Sequence, residues 1–198
     1  MSFNKFYPIF DNSSMLSLAV DLGTKFVQLR VKNVSNEKIK HEINLSKKVC
    51  DKKNVQLVIN DYWELAANLN CDFVHLGQED LLNADINYLK KKKIKIGIST
   101  HDKKELDKAL SINPDYIAFG PIWETKLKKM KWKPQGLERL KIWKNKIREI
   151  PLVAIGGLDI ERAKISLVSG ADIVSVVTDI SQSDNPKKKI VDWINEIK

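Results

Sequence analysis

Eight short apolar runs, each followed by a segment with helical character, recur on a pitch of roughly two dozen residues through a chain of 198. That rhythm predicts an α/β protein with a parallel sheet. The count of eight, together with polar and glycine residues gathered just beyond the runs, favours a closed (β/α)8 TIM barrel over a doubly wound sheet. One domain over residues 1–198 is expected, because no long linker or low-complexity segment interrupts the rhythm.

The elements follow in order. Phe6 to Phe10 reads as a first strand, and Asp11 to Ser14 can cap a helix over Met15 to Leu22. Phe26 to Val31 is the second strand, and Ser35 opens a longer helix to about Lys52. Val55 to Ile59 and Asp72 to Leu76 are the third and fourth strands, followed by helices over Trp63 to Leu69 and Leu82 to Lys91. Ile94 to Ile98 is the fifth, with a helix over Lys103 to Leu110 behind it. Tyr116 to Phe119 is the sixth, closed by Gly120-Pro121, and Leu137 to Ile147 the helix beyond its loop. Leu152 to Ile155 ends in Gly156-Gly157 before a helix over Ile160 to Val168. Ile173 to Val177 is the eighth strand, and Pro186 starts a last helix ending near Ile197.

Composition narrows the function classes. Charged residues make up 30% and no apolar run approaches the ~20 residues that span a bilayer, so a soluble, cytoplasmic protein without membrane partners is expected. The net charge of +9 raises the question of nucleic acid. Of the 34 basic residues, however, only Arg30, Arg139, Arg148 and Arg162 are arginine, and the lysines are spread over most helices. That distribution suits small anionic substrates better than a nucleic-acid face. Cys50 and Cys71 have neither metal-ligand spacing nor the density of a disulfide scaffold. Homo-oligomerisation is left open.

The strand ends carry the chemistry. Asp61 and Asp80 lie just beyond consecutive strands, and two hard oxygen ligands on one rim suit Mg²⁺ that keeps waters and takes phosphate oxygens. Each alone could instead cap the next helix. Alternation puts Gln28, Arg30 and Lys32 on one face, where a guanidinium would meet a phosphate or a carboxylate. Gly156-Gly157 and Val177-Thr178 fit a phosphate site built from backbone N–H groups beyond strands seven and eight. The loop after the sixth strand carries Lys126, Lys128, Lys129, Lys131 and Lys133 between Trp123, Thr125 and Trp132, a composition that can close over an anion. His41, His75 and His101 form no cluster and are expected to be structural or solvated.

Seven segments occur in the order of a known family: QLRVK at Gln28 to Lys32, INDYWELA at Ile59 to Ala66, HLGQEDL at His75 to Leu81, GISTHD at Gly97 to Asp102, FGPI at Phe119 to Ile122, KMKWKPQGL at Lys129 to Leu137, and AIGG at Ala154 to Gly157. The chain resembles the thiamine-phosphate synthases, in the superfamily that also holds the thiazole tautomerases. The resemblance implies a Mg²⁺-assisted transferase acting on small phosphorylated substrates, which joins a hydroxymethylpyrimidine diphosphate to a thiazole phosphate. It implies that Gln28, Arg30, Lys32 and Asn60 hold the pyrimidine substrate, with Leu29 and Val31 in the same segment. Asp61 and Asp80 would bind the metal, and Ser99 and Lys128 would contact diphosphate; Arg30, Ser99 and Lys128 are the implied catalytic residues. Thr125, Lys126, Leu127, Gly157, Val177 and Thr178 would surround the thiazole phosphate.

The loop departs from the family pattern. Where Pro-Thr-x-Thr-Lys is usual, the chain reads Glu124-Thr125-Lys126-Leu127-Lys128, and Thr178 replaces a serine. A similar Glu-Thr start occurs in the tautomerases, whereas the intact Asn60-Asp61 and Gln78-Glu79-Asp80 set is that of the synthases. A tautomerase and a noncatalytic binder of thiamine phosphate are therefore the alternatives.

Overall fold

The computed structural model describes residues 3–125 and 132–198. Eight parallel strands pair in sequence order, and the eighth closes on the first. They are β1 (Phe6–Phe10), β2 (Phe26–Leu29), β3 (Gln56–Asn60), β4 (Phe73–Leu76), β5 (Lys95–Thr100), β6 (Tyr116–Phe119), β7 (Leu152–Ile155) and β8 (Ile173–Val176). Around them lie α1 (Ser13–Asp21), α2 (Asn36–Lys53), α3 (Trp63–Asn68), α4 (Ile86–Lys91), α5 (Lys103–Ile112), α6 (Gly136–Ile147) and α7 (Ile160–Val168). A short α8 (Thr178–Ser181) precedes α9 (Pro186–Glu196). The expected barrel is the observed one.

Local chemistry explains the helix starts. The side chains of Asn12, Ser35, Asp102, Asp159 and Asn185 each accept a hydrogen bond from the backbone N–H three residues on, satisfying a donor that the first turn leaves unpaired. Pro186 follows the last of these at the first helical position, where its missing N–H costs nothing.

Alternation along the strands divides the core in two. Phe26, Val58, Phe73, Tyr116, Val153 and Ile173 point into the barrel with Tyr7, whose ring stacks on Phe26 at 4.0 Å. Phe3 packs on Phe26 and Phe73 at the same end of this cluster. The opposite residues of each strand fill the layer between sheet and helices, where Phe6 stacks on Trp193 and Phe119 on Trp143. Both cysteines are in this outer layer, and burial pushes the Cys50 thiol up to about 12 and the Cys71 thiol up to about 11. They are inert packing groups at neutral pH.

Two expectations need correction, and one element is additional. The second strand ends at Leu29, not Val31, although the Arg30 N–H still donates to the Phe10 carbonyl at 2.7 Å. The helix expected over Leu82 to Lys91 is a 3₁₀ turn (Asp80–Leu82) followed by α4, because Asp85 caps the Tyr88 N–H and restarts the helix there. The short α8 was not expected, because four residues are too few to show a helical period. None of the described helices is long and apolar enough to cross a membrane.

Candidate active site

The C-terminal ends of the strands form the barrel mouth, and the side chains expected there fall into two groups. On the side of β2 to β5, Gln28 and Asn60 are buried near the ends of their strands, while Arg30 and Lys32 lie beyond β2 in exposed positions. Leu29 and Val31 alternate with them and pack into the outer layer, so their side chains do not share that face.

Asp61 follows β3 with φ of 65°, a left-handed conformation that Asp tolerates better than most residues. Its N–H donates to the His75 carbonyl at 2.9 Å, which ties the residue to β4. Lys32 donates to the Asp61 carboxylate. The Asp80 carboxylate accepts from the Gly77 N–H at 3.0 Å. Burial raises the Asp80 carboxyl above its ordinary range, and the Asp61 carboxylate beside it raises it further. Two neighbouring carboxylates at the barrel mouth, with the cationic Arg30 and Lys32 on the same side, are a fit for a divalent hard cation that also takes anionic oxygens. No described cluster of three or more His, Cys, Asp or Glu residues could hold a metal by protein ligands alone. A cation here would keep several positions for water or phosphate oxygens, as Mg²⁺ does.

Beneath this rim runs a buried polar network that joins the expected Gln28 and Ser99 through Tyr7, Tyr116 and His75, none of which was an expected site residue. Gln28 Nε2 donates to the Tyr7 hydroxyl at 2.7 Å, and the Tyr7 and Tyr116 hydroxyls lie 2.9 Å apart. His75 Nδ1 is 2.7 Å from the Tyr116 hydroxyl, and its Nε2 is 2.8 Å from Ser99 Oγ. Gln78 Nε2 donates to the Ser99 carbonyl at 2.7 Å. Burial pushes the His75 imidazole down to about 4; Asp61 opposes this shift and Arg30 adds to it. Burial raises both phenols, so neither ionises near neutral pH. Room for the Tyr116 ring comes from Gly97, where a Cβ would lie 2.1 Å from the ring. His75 is thus structural, as expected, but joined directly to an implied catalytic serine. Its place on a strand was readable in the sequence; its partners were not.

The side of β6 to β8 is built differently. A cavity of about 410 Å³ is lined by Thr125, Gly157, Arg162, Thr178 and Lys189, among others. Gly156 and Gly157 have φ of 98° and 68°, and a Cβ at Gly157 would lie 2.3 Å from the Glu124 carbonyl oxygen. The glycines thus let the loop after β6 fold onto the end of β7, where the Ile122 and Trp123 N–H groups donate to the Ile155 and Gly156 carbonyls. Thr178 opens α8 directly after Val177, and Asp179 is held by Trp193 Nε1 at 2.8 Å. Glu124 is exposed at the cavity rim. Arg162 was not among the expected site residues; it donates to the Gly157 carbonyl at 2.8 Å and lies over the Trp123 ring. The signal for it was its position five residues beyond Gly157, in the first turn of the next helix. Lys126, Leu127 and Lys128 lie outside the described residues.

A family model described as thiamine monophosphate synthase matches residues 8–180. The chain belongs to the thiamine monophosphate synthase family. A family relative from Rhizobium etli, a thiamine-phosphate synthase, is 46% identical over 194 residues, covering 98% of this chain and 95% of that one. The thiamine-phosphate synthase of Escherichia coli is 37% identical over 177 residues, covering 89% and 84%. Among solved structures, a thiamine phosphate pyrophosphorylase from Pyrococcus furiosus superposes with a TM-score of 0.85 at 23% identity, covering 98% and 95% of the two chains. An orotidine 5'-phosphate decarboxylase from Pyrococcus horikoshii superposes at 0.68 with 14% identity, covering 97% and 98%. These two likenesses speak to the barrel alone. Membership of the thiamine monophosphate synthase family agrees with the resemblance read from the seven segments.

Proposed function

We propose that this protein is a thiamine-phosphate synthase, joining 4-amino-5-hydroxymethyl-2-methylpyrimidine diphosphate to 4-methyl-5-(2-hydroxyethyl)thiazole phosphate, or its carboxylated form. The bond between the pyrimidine methylene and diphosphate breaks, and the thiazole nitrogen forms a bond to that carbon, giving thiamine phosphate and diphosphate; the carboxylated thiazole also loses its carboxyl group as carbon dioxide. The observation that supports this reading is the pair Asp61 and Asp80, just beyond the adjacent strands β3 and β4 at the mouth of a family barrel. A tautomerase acting on the thiazole alone has no use for that pair.

The residues divide the work. Gln28 and Asn60, buried near their strand ends, are placed to hold the pyrimidine, and Arg30 and Lys32 bring positive charge to its diphosphate. Asp61 and Asp80 would hold Mg²⁺, which would supply charge neutralisation at the diphosphate. Ser99 offers a hydroxyl at the same side, and the sequence register assigns Lys128 a diphosphate contact. The cavity bounded by Gly157, Thr178 and Arg162 is the candidate seat of the thiazole phosphate. No nucleophilic side chain is required, because an electron-rich aminopyrimidine stabilises the cation left on the methylene once diphosphate departs.

The test is product analysis with purified protein, both substrates and Mg²⁺. Diphosphate and thiamine phosphate are expected in equal amounts. Isomerised thiazole without coupling would support the tautomerase, and tight binding of thiamine phosphate without turnover would support the noncatalytic reading.

A further inference from the structure

The buried network in the barrel connects two parts of the site. Its members come from β1, β2, β4, β5 and β6, and it begins at Gln28 and ends at Ser99. Donor and acceptor counting gives it a direction. Gln28 Nε2 donates to Tyr7, so the Tyr7 hydroxyl accepts there and has its own hydrogen for Tyr116 at 2.9 Å. Tyr116 accepts from Tyr7 and donates to His75 Nδ1 at 2.7 Å. An imidazole that accepts at Nδ1 carries its hydrogen on Nε2, which donates to Ser99 Oγ at 2.8 Å. Ser99 therefore accepts from below and keeps its hydroxyl hydrogen for a group above it. The opposite direction, with Gln28 still donating, would leave the buried Tyr7 hydrogen with no acceptor among the described residues, which is costly away from water.

We propose that Tyr7, Tyr116 and His75 are positioning residues, forming a one-way hydrogen-bond relay that fixes the Gln28 amide and presents the Ser99 hydroxyl as a donor to an anionic leaving group. This rests on the synthase reading for the identity of that group. A serine able to rotate could turn lone pairs toward a diphosphate oxygen; one that already accepts from His75 is held with its hydrogen outward. The relay is dry and enclosed, with Tyr7, Tyr116 and His75 at 1%, 0% and 8% exposure, so its bonds are not in competition with water. Gly97 is part of the same device, since its missing side chain admits the Tyr116 ring.

A double-mutant cycle on Tyr116→Phe and Ser99→Ala tests the relay, because the phenylalanine keeps the ring that packs on Gly97 and removes only the hydroxyl. Tyr116→Phe is expected to lower kcat for diphosphate release by about tenfold in the wild-type background, with KM for the thiazole substrate changed by less than about twofold. In the Ser99→Ala background the same substitution is expected to cost less than about twofold, because the serine through which it acts is gone. An equal loss in both backgrounds, or no loss in either, overturns the proposal. Nitrogen-resolved NMR of the labelled wild-type protein gives a second readout independent of turnover: His75 should be the Nε2–H tautomer, and an Nδ1–H tautomer would overturn the relay's direction. If the wild type makes no thiamine phosphate while His75 is Nε2–H, the synthase reading fails and the relay geometry stands.

Discussion

The two sides of the barrel mouth, each proposed to hold an anion, are built from different materials. From β2 to β5 the site is made of side chains: Arg30 and Lys32 beyond one strand, Asp61 and Asp80 beyond the next two, Ser99 on the fourth. From β6 to β8 it is made largely of backbone: two glycines at positive φ, a loop folded against them, and Thr178 at the start of α8. The difference teaches where each side should be sensitive. A side-chain site fails when a functional group changes, whereas a backbone site tolerates side-chain exchange but not an added Cβ.

The largest expected effect is on the side-chain half. Asp61→Asn and Asp80→Asn should each lower turnover at least about tenfold, or ~1.4 kcal/mol of barrier, with the thermal midpoint preserved. Asn is the appropriate replacement at position 61, because it also accepts the left-handed backbone found there. Steady-state rates against Mg²⁺ concentration check this, and unchanged rates would remove the metal role from the pair. Lys128→Ala should slow single-turnover diphosphate release by a similar factor, at least about tenfold, while Lys126→Ala changes it by only about two- to threefold. The reverse ranking would shift the loop register taken from the sequence.

On the backbone half, Gly157→Ala should act on binding. Its Cβ would meet the Glu124 carbonyl oxygen at 2.3 Å, so the loop must move away from β7. The KM for the thiazole phosphate is expected to rise about five- to tenfold, with the KM for the pyrimidine diphosphate moving by less than about twofold. A uniform loss for both substrates would erase the contrast between the two sides. The smallest effect is expected of Thr178→Ser, below about twofold in either constant, if the main chain and not the methyl group contacts the substrate as proposed. A larger change would show that the threonine side chain reads the substrate.

The contrast also explains what the sequence could reveal. Asp61 and Asp80 were legible because residue type and position beyond a strand are both local properties, and their meeting follows from the adjacency of consecutive parallel strands. Gly156-Gly157 was legible for the same reason. The relay was not, because Tyr7 and Tyr116 are 109 residues apart and His75 and Tyr116 are 41 apart, and no periodicity encodes such a pairing. His75 therefore read only as a strand residue, structural or solvated. Arg162 was hidden differently: it belongs to a helix, and only the tight Gly156-Gly157 turn brings its guanidinium back to the cavity. The break between Leu82 and α4 was misread because Asp85 competes for the helix start with an apolar run that alone suggests continuity.

Chelator titration of the wild-type enzyme tests the central claim, that the Asp61 and Asp80 side of the mouth drives diphosphate departure through a bound divalent ion. With both substrates saturating, diphosphate release should stop once EDTA exceeds the divalent ion and return when Mg²⁺ is restored. Release that continues at the wild-type rate in excess EDTA would contradict it.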